Sequence, residues 1–364
     1  MEKVSRATVP SCENRGRGDH PRPALFRRRR GAPPLAALCL LALAFTPAGG
    51  PWVRQRSGTL AWLHGVHFVD ERRGWAAGGK GALLSTDDGG ATWRAMPAPS
   101  EDSLRDVYFA DEANGWLVCE RGLHALGDEA EPRSYLLRTA DGGRTWSRVS
   151  PAAGGAEGRL VGLRFADAAH GWAYGELGAL YATRDGGDTW ARQAVPTRRL
   201  LLAAEFFDAR RGWLAGAGGT LLRTEDGGAT WREGLVVGGR EAGGPAAARR
   251  PATGPRFNAV EFADERRGWA VGSRGALYAT EDGGRTWRAQ NSGVAADLLD
   301  VKFADARTGW AVGSGGLVLR TRDGGRTWQA EAPVTPHALE RLSLVGSTRL
   351  WAVGFGGTIV ALKD

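Results

Sequence analysis

The string T-x-D-G-G-x-T-W stands six times in this chain, at 86–93, 139–146, 183–190, 224–231, 280–287 and 321–328. A second signature, Gly-Trp followed by small and apolar residues, precedes every copy, and a last variant, Leu350-Trp351, has no copy after it. Its tryptophans are Trp75, Trp116, Trp172, Trp213, Trp269, Trp310 and Trp351, spaced by 41, 56, 41, 56, 41 and 41 residues. The basic unit is therefore 41 residues, lengthened by 15 in two copies. A repeat of this size is one supersecondary unit that cannot bury its own apolar face, so its copies must stack. Four short strands with their turns fill 41 residues, which is the size of one propeller blade.

Each unit parses alike. An apolar run ending at Phe68, Phe109, Phe165, Phe206, Phe262 or Phe303 is strand a, the Gly-Trp run is strand b, and a run such as Ala276–Thr280 is strand c. The eight-residue box turns c into d, and its tryptophan opens strand d. Seven copies of a–b–c with six boxes leave the last blade one strand short. The segment Trp52–Gly58 matches 287–293, the strand d that follows a box, so Trp52 is expected to open a strand that pairs with 358–364 and closes the ring. Of fifteen tryptophans this scheme assigns all but Trp62. The predicted fold is all-β, a seven-bladed propeller over 51–364, with insertions near 121–134 and 233–255.

The box aspartates are Asp88, Asp141, Asp185, Asp226, Asp282 and Asp323. Two glycines follow each, one able to take the positive φ of a tight turn, and a carboxylate there can accept the amides of its own turn. Acid–base work needs two carboxylates about 5–10 Å apart, and one aspartate per blade spreads them around a ring. A calcium loop would cluster more oxygen ligands. The boxes therefore read as structural, with no cofactor or metal expected. Neither a metal-spaced His/Cys cluster nor a Ser-His-Asp signature is visible.

The formal charge of +8 is concentrated in the leader, since residues 1–30 carry nine Lys/Arg against three acids. What remains is close to neutral, which argues against a nucleic-acid partner. The cationic stretch Arg27–Arg30, an apolar run from Leu35 to Phe45 and the small residues after it have the layout of a secretory signal within 1–50. Membrane contact is expected only through that leader if it is retained. Leu38 before Cys39 argues against lipidation, and the sole cysteine past the leader, Cys119 in a strand-like run, reads as a buried thiol.

The box is identified as the Asp-box, or bacterial neuraminidase repeat, of sialidases, xyloglucan-active glycosidases, sortilin-type receptors and the photosystem II stability/assembly factor family. The whole unit, F-A-D-x-x-x-G-W-A-V-G through T-x-D-G-G-x-T-W, most resembles the last of these, over nearly all of 51–364. The resemblance implies an exported, non-catalytic, monomeric scaffold on the periplasmic, envelope or thylakoid-lumen side. It implies a protein partner such as a membrane-protein assembly intermediate. A sialidase would carry an Arg-Ile-Pro motif, which is absent here. An envelope carbohydrate-binding propeller and an Asp-box glycosidase stand as the alternatives.

Strand alternation puts the boxes and a–b turns on one face and the b–c turns with the d–a links on the other. Both insertions fall on the second face, where rigid scaffolds commonly carry recognition. Lys80, Arg121 and Arg274, in b–c turns, are the expected partner-binding residues. Just before the strand-a phenylalanines stand His67, Tyr108, Arg164, Glu205, Glu261 and Lys302, expected to face the central channel and pair with one another.

Overall fold

A computed structural model describes residues 51–122, 132–151, 157–238 and 254–362. The leader and the bulk of both insertions, including 123–131 and 239–253, lie outside the described residues. Seven antiparallel sheets follow one another around a ring, and neighbouring strands a touch from the first blade to the last and back. Blade one is typical, with Leu63–Phe68 innermost, then Gly74–Gly78, Leu83–Thr86 and the short Arg94–Ala95 outermost. Strand b is buried throughout in blade after blade, as in Gly268–Gly272, because sheets cover both of its faces. Among the described residues no helix is long and apolar enough to cross a membrane.

The ring closes as the repeat count requires. Blade seven takes Leu339–Val345, Arg349–Gly354 and Thr358–Leu362 from the end of the chain and Trp52–Gln55 from its front. Trp52 pairs with Leu362 and Gln55 with Ile359 in antiparallel register. Trp52 is buried in the core shared with Trp310 and Leu342, and its indole N–H reaches the Glu331 carboxylate at 2.5 Å.

One aromatic unit recurs between blades. The strand-b indole of one blade stacks on the strand-a phenylalanine of the next: Trp75 on Phe109, Trp172 on Phe206, Trp269 on Phe303 and, across the closure, Trp351 on Phe68 at 3.6 Å. The box tryptophan then meets the same phenylalanine edge-on, as Trp231 meets Phe206 at 86°. Edge contacts of this kind add about 0.5–1.5 kcal/mol each beyond the area they bury, whereas the stacks, their rings nearly parallel and face to face, contribute chiefly by burying apolar area. Blade seven lacks the phenylalanine, and Leu342 and Leu344 pack near Trp310 instead.

Two features go beyond the repeat. The four-strand rule breaks at blade five, where Leu235–Val237, inside the insertion near 233–255, pairs in parallel with an outermost strand lengthened to Thr286–Ala289. Every strand a also carries a register shift near its start, for example between Leu104 and Asp106. Such a bulge leaves backbone amides without ladder partners. Asp106 fills the gap, accepting from the Val107 amide (3.0 Å) and, on the next blade, the Leu163 amide (3.1 Å). Asp300 does the same for Val301 and Leu342.

Candidate functional site

The boxes consume their own carboxylates. In the first, Asp88 accepts from the Thr92 hydroxyl (2.6 Å), the Thr92 amide (2.8 Å) and the Thr86 hydroxyl (2.8 Å), while Thr86 in turn accepts the Gly90 amide (2.8 Å). The pattern repeats at Asp141, Asp185, Asp226 and Asp323, and at Asp282 with Thr286 giving its amide. Hydrogen bonds from the following threonine hold Asp88, Asp185, Asp226 and Asp323 down to about 2. Thr145 lowers Asp141 in the same way, and at Asp282 the opposing desolvation is outweighed by the hydrogen bonds of Thr286, Thr280 and the Arg285 amide taken together. Among the described residues no group of three or more His, Cys, Asp or Glu side chains is arranged to hold a metal. Cys119 is buried, and desolvation pushes its thiol up to about 12, far from a reactive thiolate.

Several of the channel residues meet partners across blades. Lys302 bonds Glu261 at 2.5 Å and Arg164 bonds Asp106 at 3.2 Å, while His67 packs on Tyr108 with ring centres 4.6 Å apart. Burial, with Arg164 nearby, lowers His67 to about 4. Burial also pushes Glu261 up to about 8, and Lys302 only partly brings it back. Asp106 and Asp300 were missed from the sequence. Their signal was a carboxylate standing where sister blades have Gly65, Gly162, Ala203 and Ala259.

On the box face, basic a–b turns are tied down. Asp70 accepts the Arg72 and Arg73 amides, both at 2.7 Å, and Arg73 and Arg211 form ion pairs with Glu112 and Glu265 of the following blades. Box glycines bind these turns too, as the Gly89 amide donates to the Arg72 carbonyl (2.8 Å). On this face the bonds brace the turns themselves, and the two ion pairs tie neighbouring blades.

The second face differs. After strand b, six blades form the same three-residue turn whose middle residue is left-handed. Three blades place glycine there, at Gly218, Gly315 and Gly356, the residue that adopts this conformation freely. The others place Lys80 (φ 56°), Leu177 (φ 57°) and Arg274 (φ 56°). A non-glycine residue held left-handed costs about 1 kcal/mol or more, and nothing in the turn requires the side chain. All three side chains are exposed. Lys80 and Arg274 were legible in the sequence as basic turn residues, whereas Leu177 was not. The Arg274 amide is held by Asp297 (2.7 Å). Arg121 lies on this face beside the Tyr135 ring (5.7 Å), and the loop that follows it is outside the described residues.

Comparison with known proteins supplies the context. The model of the family described as photosynthesis system II assembly factor YCF48 matches residues 46–154, 93–198, 189–242 and 290–357. A curated relative, the photosystem II assembly lipoprotein Ycf48 of Synechococcus sp. (strain CC9902), is 28% identical over 158 residues, 42% of this chain and 43% of that protein. The chain thus spans less than half of that relative in the match. Among solved structures, YCF48 bound to D1 peptide superposes with a TM-score of 0.68 at 20% identity, covering 86% of this chain and 96% of that one. YCF48 from Cyanidioschyzon merolae gives 0.67 at 21%, covering 86% and 98%. The GH74 xyloglucanase from Xanthomonas campestris gives 0.63 at 16%, covering 86% of this chain but 53% of the enzyme. At these identities the structural likenesses speak for the propeller alone.

Proposed function

We start from one premise, that the chain belongs to the photosynthesis system II assembly factor YCF48 family, and propose that it is an exported, non-catalytic scaffold that holds a protein partner on its b–c/d–a face. The partner class is an assembly intermediate of a membrane protein, in keeping with the relatives named as photosystem II assembly factors and with the neighbour that carries a D1 peptide. The leader would direct export, and the propeller works as a monomer. The observation that carries the placement is the trio Lys80, Leu177 and Arg274, three long side chains displayed at a conformational cost where sister blades use glycine. Box carboxylates saturated by their own turns support a structural role for them, and in the channel Asp106 and Glu261 are engaged by Arg164 and Lys302.

The test is fluorescence anisotropy of a labelled D1 peptide with the full chain. Binding is expected to weaken at least tenfold in the Lys80→Gly/Arg274→Gly double variant. The box-face variant Arg72→Ala should bind as the parent does. Absence of binding to the parent chain, or a loss confined to Arg72→Ala, would overturn the reading.

A further inference from the structure

The repeat supplies its own control for asking which side chains the fold does not need. Two large aromatics on the second face break the pattern of their sister blades. Trp62 precedes the first buried residue of strand a, where the other units carry Ser103, Arg159, Leu200, Arg256, Asp297 and Ala338. Its structural duty there is met by the backbone, since the Trp62 carbonyl accepts the Gly79 amide (2.9 Å) as the Arg256 carbonyl accepts that of Ser273 (2.9 Å). Phe355 opens the b–c turn of blade seven, where sister turns open with Gly79, Glu176, Ala217, Ser273 and Ser314. Neither aromatic is required by its blade.

The structure brings the two together across the ring closure. Their rings meet edge-on at 77° with centres 5.3 Å apart, and both stay open to solvent, Trp62 at 44% and Phe355 at 47%. His337 packs beside Phe355 (5.5 Å), and Leu60, 89% exposed, lies two residues before Trp62. Beneath Trp62 sits buried His64, which receives an Arg105 N–H on Nε2 (3.3 Å) and so donates from Nδ1 to Glu340 (2.9 Å). The floor is thus hydrogen-bonded and fixed. The strip continues into blade one through the Gly79–Trp62 bond, and the next residue is Lys80, which makes no ion pair among the described residues. An apolar platform with a free cation at its end fits a chain that offers the complementary pair of groups.

We propose that this seam between blades seven and one is the anchor of the partner-binding face. It takes an extended peptide with a bulky apolar side chain on Trp62 and Phe355 and an acidic group near it on Lys80. The proposal refines the functional reading above by naming what the partner presents.

Sister blades prescribe the variants, since serine already stands at both positions elsewhere in the ring, in Ser103, Ser273 and Ser314. A random 12-residue peptide display library is selected on the full chain, and the enriched peptides are measured by anisotropy against the parent, Trp62→Ser/Phe355→Ser and Lys80→Gly. Enriched peptides should pair an aromatic or large aliphatic residue with a neighbouring Asp or Glu. The double variant should bind them at least tenfold more weakly while melting as the parent does. If it melts lower, Phe355→Ser alone is read, with a loss of at least threefold expected. Lys80→Gly should abolish the preference for Asp/Glu over Asn/Gln versions of the same peptide. Equal binding by the serine variants, no enrichment, or loss instead of xyloglucan heptasaccharide or phosphatidylglycerol-vesicle capture would overturn the seam. D1-peptide binding that survives the serine variants would sink the anchor and leave the scaffold reading standing. Acidic–aromatic selection without D1 binding would do the reverse.

Discussion

At the scale of single residues, the left-handed turn position separates stability from use. Lys80→Gly, Leu177→Gly and Arg274→Gly relieve a strained φ, offset by the greater freedom of glycine in the unfolded chain. Each is expected to raise stability by up to about 1 kcal/mol in urea unfolding while weakening partner binding. A loss of stability would mean that the side chains brace the turn. Titration offers a second prediction. His67 is lowered from 6.5 to about 4 by burial and Arg164, so the unfolded chain takes up a proton there that the folded chain refuses. Its contribution is complete above pH 6.5 and is lost as the pH falls from 6.5 through 4. The box aspartates, lowered from 3.8 to about 2, add a separate loss between those values. His67→Gln should flatten the upper part of a stability-versus-pH curve and leave the lower part unchanged.

At the scale of the element, the box shows how a short motif can be read without its surroundings. Thr86, Asp88, Gly90 and Thr92 bond one another within one turn, so the spacing in sequence is already the spacing in space. The parallel strand Leu235–Val237 had no such local signal. It pairs with residues some fifty positions later, and its three apolar residues are exposed and follow no alternation. What it does is visible in Trp287, 1% exposed beneath it, while most other box tryptophans are half-buried. Val236→Pro interrupts this pairing. Amide exchange at 286–289 is expected to speed up at least tenfold, with melting lowered by only a few degrees. Unchanged exchange would show that the edge strand protects nothing.

At the scale of the whole molecule, closure is the step on which cooperativity rests. Deleting Trp52–Gly58 leaves blade seven with the open edge Thr358–Leu362 and empties the site of Trp52 in the core shared with Trp310. The melting temperature should fall by on the order of 10 °C, because every interblade stack depends on a closed ring. A truncated chain that melts with the parent would mean the ring holds without its clasp. The sequence alone determined the blade number, the place of the clasp and which turns share a face. All of these follow from a strict period and from the alternation of strands, which are properties of order along the chain. The tertiary structure decided which groups meet: the Asp106 carboxylate with the Leu163 amide, the Trp62 ring with Phe355, the backbone of Leu235 with that of Thr286. The first two pairs join different blades and the third adds a strand that the repeat does not contain, whereas a repeat specifies each blade alike. Only the curvature of the assembled ring and the register across each seam settle which of its irregular residues face one another.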